Sequence, residues 1–370
     1  MVGRLSFACL AWMPLVWGQS NPAVTDLGRD ADFVAIATLE RIVDAGGRDS
    51  PNITLQLRVA RTLKGESASS TVFASVPVRG PKSIGPAWVA PEFVGKAGIW
   101  FLKSGPMGYT ILPRDRLSYQ ARDLLLPLVE PEGLTPPSGT LNEQLLAYLV
   151  RWYLSVPNPT PQEQRDFHYG VWSWFNPSSE PREVIAAVAP LIASRSLTHH
   201  VSGLAAALNE GSVEALNTVL DELPTLRTNP RYTMLTDAIG MPRGKQDVTW
   251  FPVLRRLIAM HTDAPGLDNA AYGALAVIHE QSKDALPLIV QLLDSKDPNL
   301  PKTIAAYLGY YTMFLGPNGE KRDSGVLGPF STPETRSFTG KGSSLTSAQA
   351  AEFWKAWWAE NHGKIGYPEP

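Results

Sequence analysis

The chain has 370 residues, enough at roughly 100–200 residues per domain for two domains, or for one domain and a repeat array. It carries 33 Lys and Arg against 35 Asp and Glu, and this near-neutral balance argues against nucleic acid or an anionic membrane surface as the main partner. Charged residues reach only 18%, against about 25% in an ordinary domain, and 11 Trp accompany a 44% hydrophobic fraction, which excludes a wholly disordered chain.

Residues 1–18 have the layout of a secretory signal peptide. Arg4 is the positive n-region, Leu5 to Trp17 is an almost unbroken apolar run, and Val16 and Gly18 are small enough for cleavage before Gln19. That run is shorter than the ~20 residues that span a bilayer, and no other stretch comes closer, so no membrane span is expected once the signal is removed. An uncleaved N-terminal anchor is the alternative. The only cysteine, Cys9, lies inside this signal, which leaves the exported chain without a disulfide, a thiolate ligand or a cysteine nucleophile. The expected address is periplasmic or extracellular.

From Ala31 to about Pro113 the pattern has period two, within a barrel domain expected over residues 29–113. Ile53, Leu55, Leu57, Val59 and Leu63 alternate with Thr54, Gln56, Arg58, Ala60 and Thr62, which predicts one long half-buried strand. Phe33–Leu39 is a strand candidate ahead of it, closed by Ala45-Gly46-Gly47, and Asn52-Ile53-Thr54 is a glycosylation acceptor sequence. Thr71–Val78 is a third strand, with Pro77 pointing to a sheet edge. Ile99–Leu102 and Tyr109–Leu112 flank a Gly/Pro loop and predict a hairpin. Five strands with turns between them imply a small, partly open antiparallel barrel.

Asp32-Phe33-Val34, the run Leu57 to Gly65 with its Leu63-Lys64-Gly65 turn, and Gly98 to Leu102 resemble bacterial secreted domains of the netrin-like type. These are similar to the tissue inhibitors of metalloproteinases and share an OB-like barrel. The animal inhibitors act through an N-terminal cysteine and hold their barrel with disulfides. This chain has neither, so protease inhibition does not carry over from the resemblance.

Residues 114–139 are Pro-rich and read as a linker. Beyond it the period becomes 3.6. Thr140-Leu141-Asn142-Glu143 and Thr160-Pro161-Gln162-Glu163 are capping boxes that open helices. Helical runs then come in pairs: Arg182–Ser194 with Thr198–Asn209, Ser212–Leu223 with Arg231–Ile239, Phe251–His261 with Leu267–His279, and Ala285–Ser295 with Lys302–Phe314. Leu191, Leu220, Leu257 and Leu292 recur at 29, 37 and 35 residues, a spacing of helix pairs expected of an α-solenoid over residues 140–315. Ala285 to Pro298 with Thr303 to Gly309 resembles a HEAT repeat; an irregular bundle is the alternative. Residues 316–345 are expected to be a loop, and Thr346-Ser347-Ala348-Gln349 opens a last capping helix over 346–361. Its Phe353, Trp354, Trp357 and Trp358 share one face, expected to cover the end of the array, with an exposed binding stripe as the alternative.

Chemistry-bearing patterns are sparse. The histidines at 168, 199, 200, 261, 279 and 362 never stand at the i, i+4 spacing of a helical metal site, and they read as surface or capping groups. There is no Gly-x-Ser-x-Gly elbow, and Gly340-Lys341-Gly342-Ser343 lacks the earlier Gly and the Ser/Thr after Lys of a phosphate loop. Glu130/Glu132 and Asp294/Asp297 sit in linker or turn contexts. Trp172, Trp174, Trp354 and Trp358 are therefore the candidate ligand- or partner-binding residues, with no catalytic residue, metal or cofactor expected. The resulting expectation is an exported, monomeric binding or scaffold protein with a protein partner in the cell envelope or outside it. An envelope hydrolase with an interdomain site using His168 or His199, and a protease inhibitor acting through the barrel, are the alternatives.

Overall fold

In the computed structural model the described residues are 28–44, 52–66, 69–77, 94–95, 97–106, 108–112, 138–161, 163–164, 167, 180–240, 246–260, 266–317, 319–320, 327–339 and 345–367. Residues 1–18, where a signal is expected, residues 114–137 of the expected linker, Trp172 and Trp174 lie outside them. Contacts group the chain into two compact units, Met1–Ala187 and Val188–Pro370.

The first unit contains β1 (Phe33–Asp44), β2 (Asn52–Lys64), β3 (Thr71–Pro77), β4 (Ala97–Gly105) and β5 (Gly108–Ile111), closed into a barrel in the order β1-β2-β3-β5-β4. Two expectations are corrected. The ring is closed, and β3 pairs parallel with β5 through Ala74↔Tyr109 and Ser75↔Thr110. Parity is the reason. Each antiparallel contact reverses direction, and five reversals cannot bring a ring back to its starting direction, so one pair must be parallel. Closure also removes the edge on which Pro77 was expected. Pro77 is instead the last residue of β3, opposite Asn52, where a missing ladder donor matters least.

Alternation along β2 sends Ile53, Leu55 and Leu57 inward and leaves Arg58 exposed. They meet Phe33, Ala35, Ala37 and Leu39 of β1 and Trp100 and Leu102 of β4 in one core. Ala35 stands directly opposite Trp100, and the indole Nε1–H donates to the Ala37 carbonyl at 2.9 Å, so small residues seat the large ring and satisfy its polar atom. Val34 and Ile36 are buried too, as are their β4 partners Phe101 and Ile99. Both faces of the β1–β4 pair are therefore covered, which explains why Phe33–Leu39 reads as a nearly continuous apolar run.

The Leu63-Lys64-Gly65 turn anchors the chain's entry to the barrel. Lys64 Nζ donates to the carbonyls of Gly28, Arg29 and Ala31 at 2.8, 3.0 and 2.7 Å. Gly65 has φ 78°, and any side chain there would collide with the Asp32 carbonyl. Helix α1 (Leu141–Ser155) belongs to the same unit. Thr140 and Glu143 cap it reciprocally, as expected, and its Tyr148 hydroxyl accepts from Arg61 Nη1 at 3.0 Å.

Helix α2 (Pro181–Ile192) spans the division between the units. The second unit continues with α3 (Leu197–Asn209), α4 (Val213–Asp221), α5 (Leu223–Leu226), α6 (Thr233–Gly240), α7 (Phe251–Ala259), α8 (Leu267–His279), α9 (Leu286–Gln291), α10 (Leu300–Met313), α11 (Pro333–Arg336) and α12 (Ser347–Asn361). Helices α3, α6, α8 and α10 pack successively on one another, α4, α7 and α9 do the same, and α12 lies on α9 and α10. Glycine sets the closest approach. A Cβ on Gly240 would lie 2.8 Å from Ala270 Cα, and one on Gly273 would overlap the Gly240 carbonyl, so α6 and α8 cross almost backbone to backbone. Residues 316–345 are not a plain loop. Thr332 and Thr335 cap each other around Pro333 and start α11, which leads Phe338 into contact with Phe353 and Trp354. No helix among the described residues is long and apolar enough to cross a membrane.

Candidate functional site

The barrel presents one outward row that mixes charge and an aromatic. Arg41, Gln56 and Phe73 stand side by side across β1, β2 and β3. Gln56 accepts from Arg41 Nε and donates to Glu40, both at 2.7 Å, and Glu40 pairs with Arg58 at 3.2 Å. Phe73 at the end of the row is 49% exposed.

In the second unit, helical spacing gathers a denser group. Tyr272 and His279 lie two turns apart on α8, and Tyr307, Tyr310, Tyr311 and Phe314 follow i, i+3, i+4, i+7 along and just beyond α10. Packing of α8 on α10 places Tyr307 edge-on to Tyr272, with centroids 5.9 Å apart. His279 Nδ1 and the Tyr307 hydroxyl share a hydrogen bond of 2.5 Å, and the imidazole also lies 4.8 Å from the Tyr311 ring. Burial pushes the Tyr307 hydroxyl far above its ordinary range, and the neighbouring Tyr272, Tyr311 and Glu280 add to the effect. Tyr311 is raised by burial as well, with the Tyr367 hydroxyl offsetting part of the shift. The phenols thus stay neutral and act as hydrogen-bonding groups at ordinary pH. Tyr310, 41% exposed, and its neighbour Phe314 carry the group out to the surface.

The expected site residues separate. Trp354 has no exposed surface and packs among Phe338, Phe353 and Trp357, so it serves the core. Trp358 is half-buried between His362 and Tyr367, at the margin of the tyrosine group. His168 and His261 lie outside the described residues. His199 is buried, and His200 is fixed between the Ile192 carbonyl at 2.5 Å and Glu222 at 2.9 Å. Asp294 pairs with Lys355, and Asp297 accepts from the Asn299 amide at 2.8 Å. No three His, Cys, Asp or Glu among the described residues converge as metal ligands. A shallow groove is lined by Pro333, Glu334, Ser337, Phe338, Leu345 and Phe353.

Tyr272, Tyr307, Tyr310 and Tyr311 were not singled out from the sequence. The 307–314 spacing was legible as a helical stripe, but aromatic stripes are ordinary in cores, and the partnership with His279 spans 28 positions. Comparison with known protein families, with curated proteins and with solved structures finds no match.

Proposed function

We propose that this chain is an exported, non-enzymatic binding or scaffold protein whose contacts are made by the tyrosine-bearing α8–α10 face and by the outer face of the barrel. The observation that carries the reading is Tyr310, exposed beside Phe314 on the helix whose Tyr307 meets Tyr272. Tyrosine offers large, rigid contact area with a polar tip at low entropic cost, which is why it concentrates at recognition surfaces. The strand order and the single parallel pair support an OB-type barrel. The successive packing of alternate helices supports a HEAT-like solenoid, an architecture that presents extended binding faces. The layout of residues 1–18 supports export to the periplasm or beyond.

The test is retention from envelope extract on immobilised chain. A partner held by the wild type and by Trp354→Phe, but lost with the pair Tyr272→Ala and Tyr310→Ala, is the expected outcome. Equal retention by the tyrosine variants would remove the α8–α10 face from the proposal. Reproducible turnover in an unbiased hydrolase panel would overturn the non-enzymatic reading. Amino-terminal sequencing of the exported chain is expected to begin at Gln19.

A further inference from the structure

His200 joins three segments of the second unit. It lies near the start of α3, largely buried, one turn before Gly203. Any side chain at Gly203 would strike Leu191 and Ile192, so the end of α2 lies directly on α3. The imidazole Nδ1 lies 2.5 Å from the Ile192 carbonyl, at the C-terminus of α2. Its Nε2 lies 2.9 Å from a carboxylate oxygen of Glu222, the residue between α4 and α5. A carbonyl and an ionised carboxylate are both acceptors only, whereas a neutral imidazole has a single N–H. A neutral ring therefore turns a lone pair toward one of its two partners, and only the imidazolium donates to both. Its charge also suits the end of α2, where the last carbonyls lack helical partners and carry the negative end of the dipole.

The charged groups around this ring are few. α3 carries no Asp, Glu, Lys or Arg, and its other histidine is the buried His199. The charged residues of α2, Arg182 and Glu183, stand at its opposite end. Of the helices packed on α3, α4 offers Glu214, bonded to Ser212, and Asp221, paired with Arg256, while α6 offers the exposed Asp237. Arg195 is exposed in the turn before α3, and Arg227 follows α5. Among the described residues, Glu222 is the one charged group that pairs with the ring. We propose that His200 is a proton-operated clamp: the doubly protonated ring ties the α4–α5 junction to α3 and to the end of α2, and loss of one ring proton releases the half-exposed Glu222 side chain to water. The two contacts exist together only in the folded chain, so the clamp's contribution is present while the ring holds both protons. It is lost as pH rises and one proton leaves.

The experiment is a double-mutant cycle between His200→Gln and Glu222→Gln in the full chain. It is read by urea unfolding at about pH 5.5 and about pH 8.5, on either side of the range in which histidine titrates. A coupling of about three- to tenfold in the folding equilibrium is expected at the lower pH, and none at the higher. Equal coupling at both values would mean a contact that needs no second proton, and coupling at neither would mean no clamp; each overturns the proposal. Hydrogen exchange in the wild type gives a reading that needs no substitution. The Leu226 and Arg227 amides donate to the Glu222 and Leu223 carbonyls at 3.0 Å, just beyond the clamp. Corrected for the pH dependence of exchange itself, their protection is expected to fall at the higher pH relative to the amides of α10, and unchanged relative protection rejects the release of this corner.

Discussion

Lys64 and Asp32 fix where the chain enters the barrel, and they do so by different physics. Lys64 satisfies three carbonyls of the segment before β1, so Lys64→Met leaves those acceptors without their charged donor. A loss of about 1.5–3 kcal/mol in urea unfolding is expected; an unchanged midpoint would show that water replaces the ammonium at no loss. Asp32 accepts from Lys103 Nζ and from the Ser104 amide, and these bonds hold its carboxyl below the ordinary carboxylate range. Because the folded value lies below the unfolded one, its contribution is present above the unfolded carboxylate range and is lost as pH falls through the folded value. Asp32→Asn is therefore expected to flatten the acid side of a melting-temperature profile below about pH 4. A profile parallel to the wild type would refute the assignment.

Helix ends and helix crossings make separable contributions. Thr346 and Gln349 cap α12 reciprocally, and Thr346→Ala is expected to lower stability by about 1 kcal/mol, measured by thermal unfolding. Gly273→Ala is a sharper test of the α6–α8 crossing. Alanine is the better helix former, so propensity alone would raise stability. The new Cβ meets the Gly240 carbonyl, however, and overpacking of about 1–3 kcal/mol is expected to win. A stabilised Gly273→Ala protein would mean that the two helices can separate freely. The capping boxes at Thr140, Thr160 and Thr346 were legible because a box is written within four residues. The crossing was not, because Gly240 and Gly273 lie in different helices and glycine inside a helix looks, locally, like a weakness.

For the helical unit as a whole, buried phenols set an upper pH limit. Burial pushes Tyr232 up to about 12, and raises Tyr307 and Tyr367 further. Folded values above the unfolded value of about 10 mean that the folded state keeps protons the unfolded chain has released, so stability is intact below about pH 10 and falls as pH rises beyond it. Melting temperatures measured from about pH 9 to 11.5 are expected to drop on the alkaline side, and a flat profile would contradict the burial of these hydroxyls. The period of two and the period of 3.6 were enough to locate β1 to β5 and most of the helices, because alternation and helical stripes reflect how each short segment must bury one face. The opening arithmetic already excluded a disordered chain and disfavoured a strongly charged partner. Only the assembled molecule decided that the ring closes through a parallel β3–β5 pair, that Lys64 meets the carbonyls before β1, and that Tyr307 meets His279. The division has a physical cause. Local pattern records how one segment hides its own apolar face, whereas ring parity and contacts between distant residues depend on which surfaces meet.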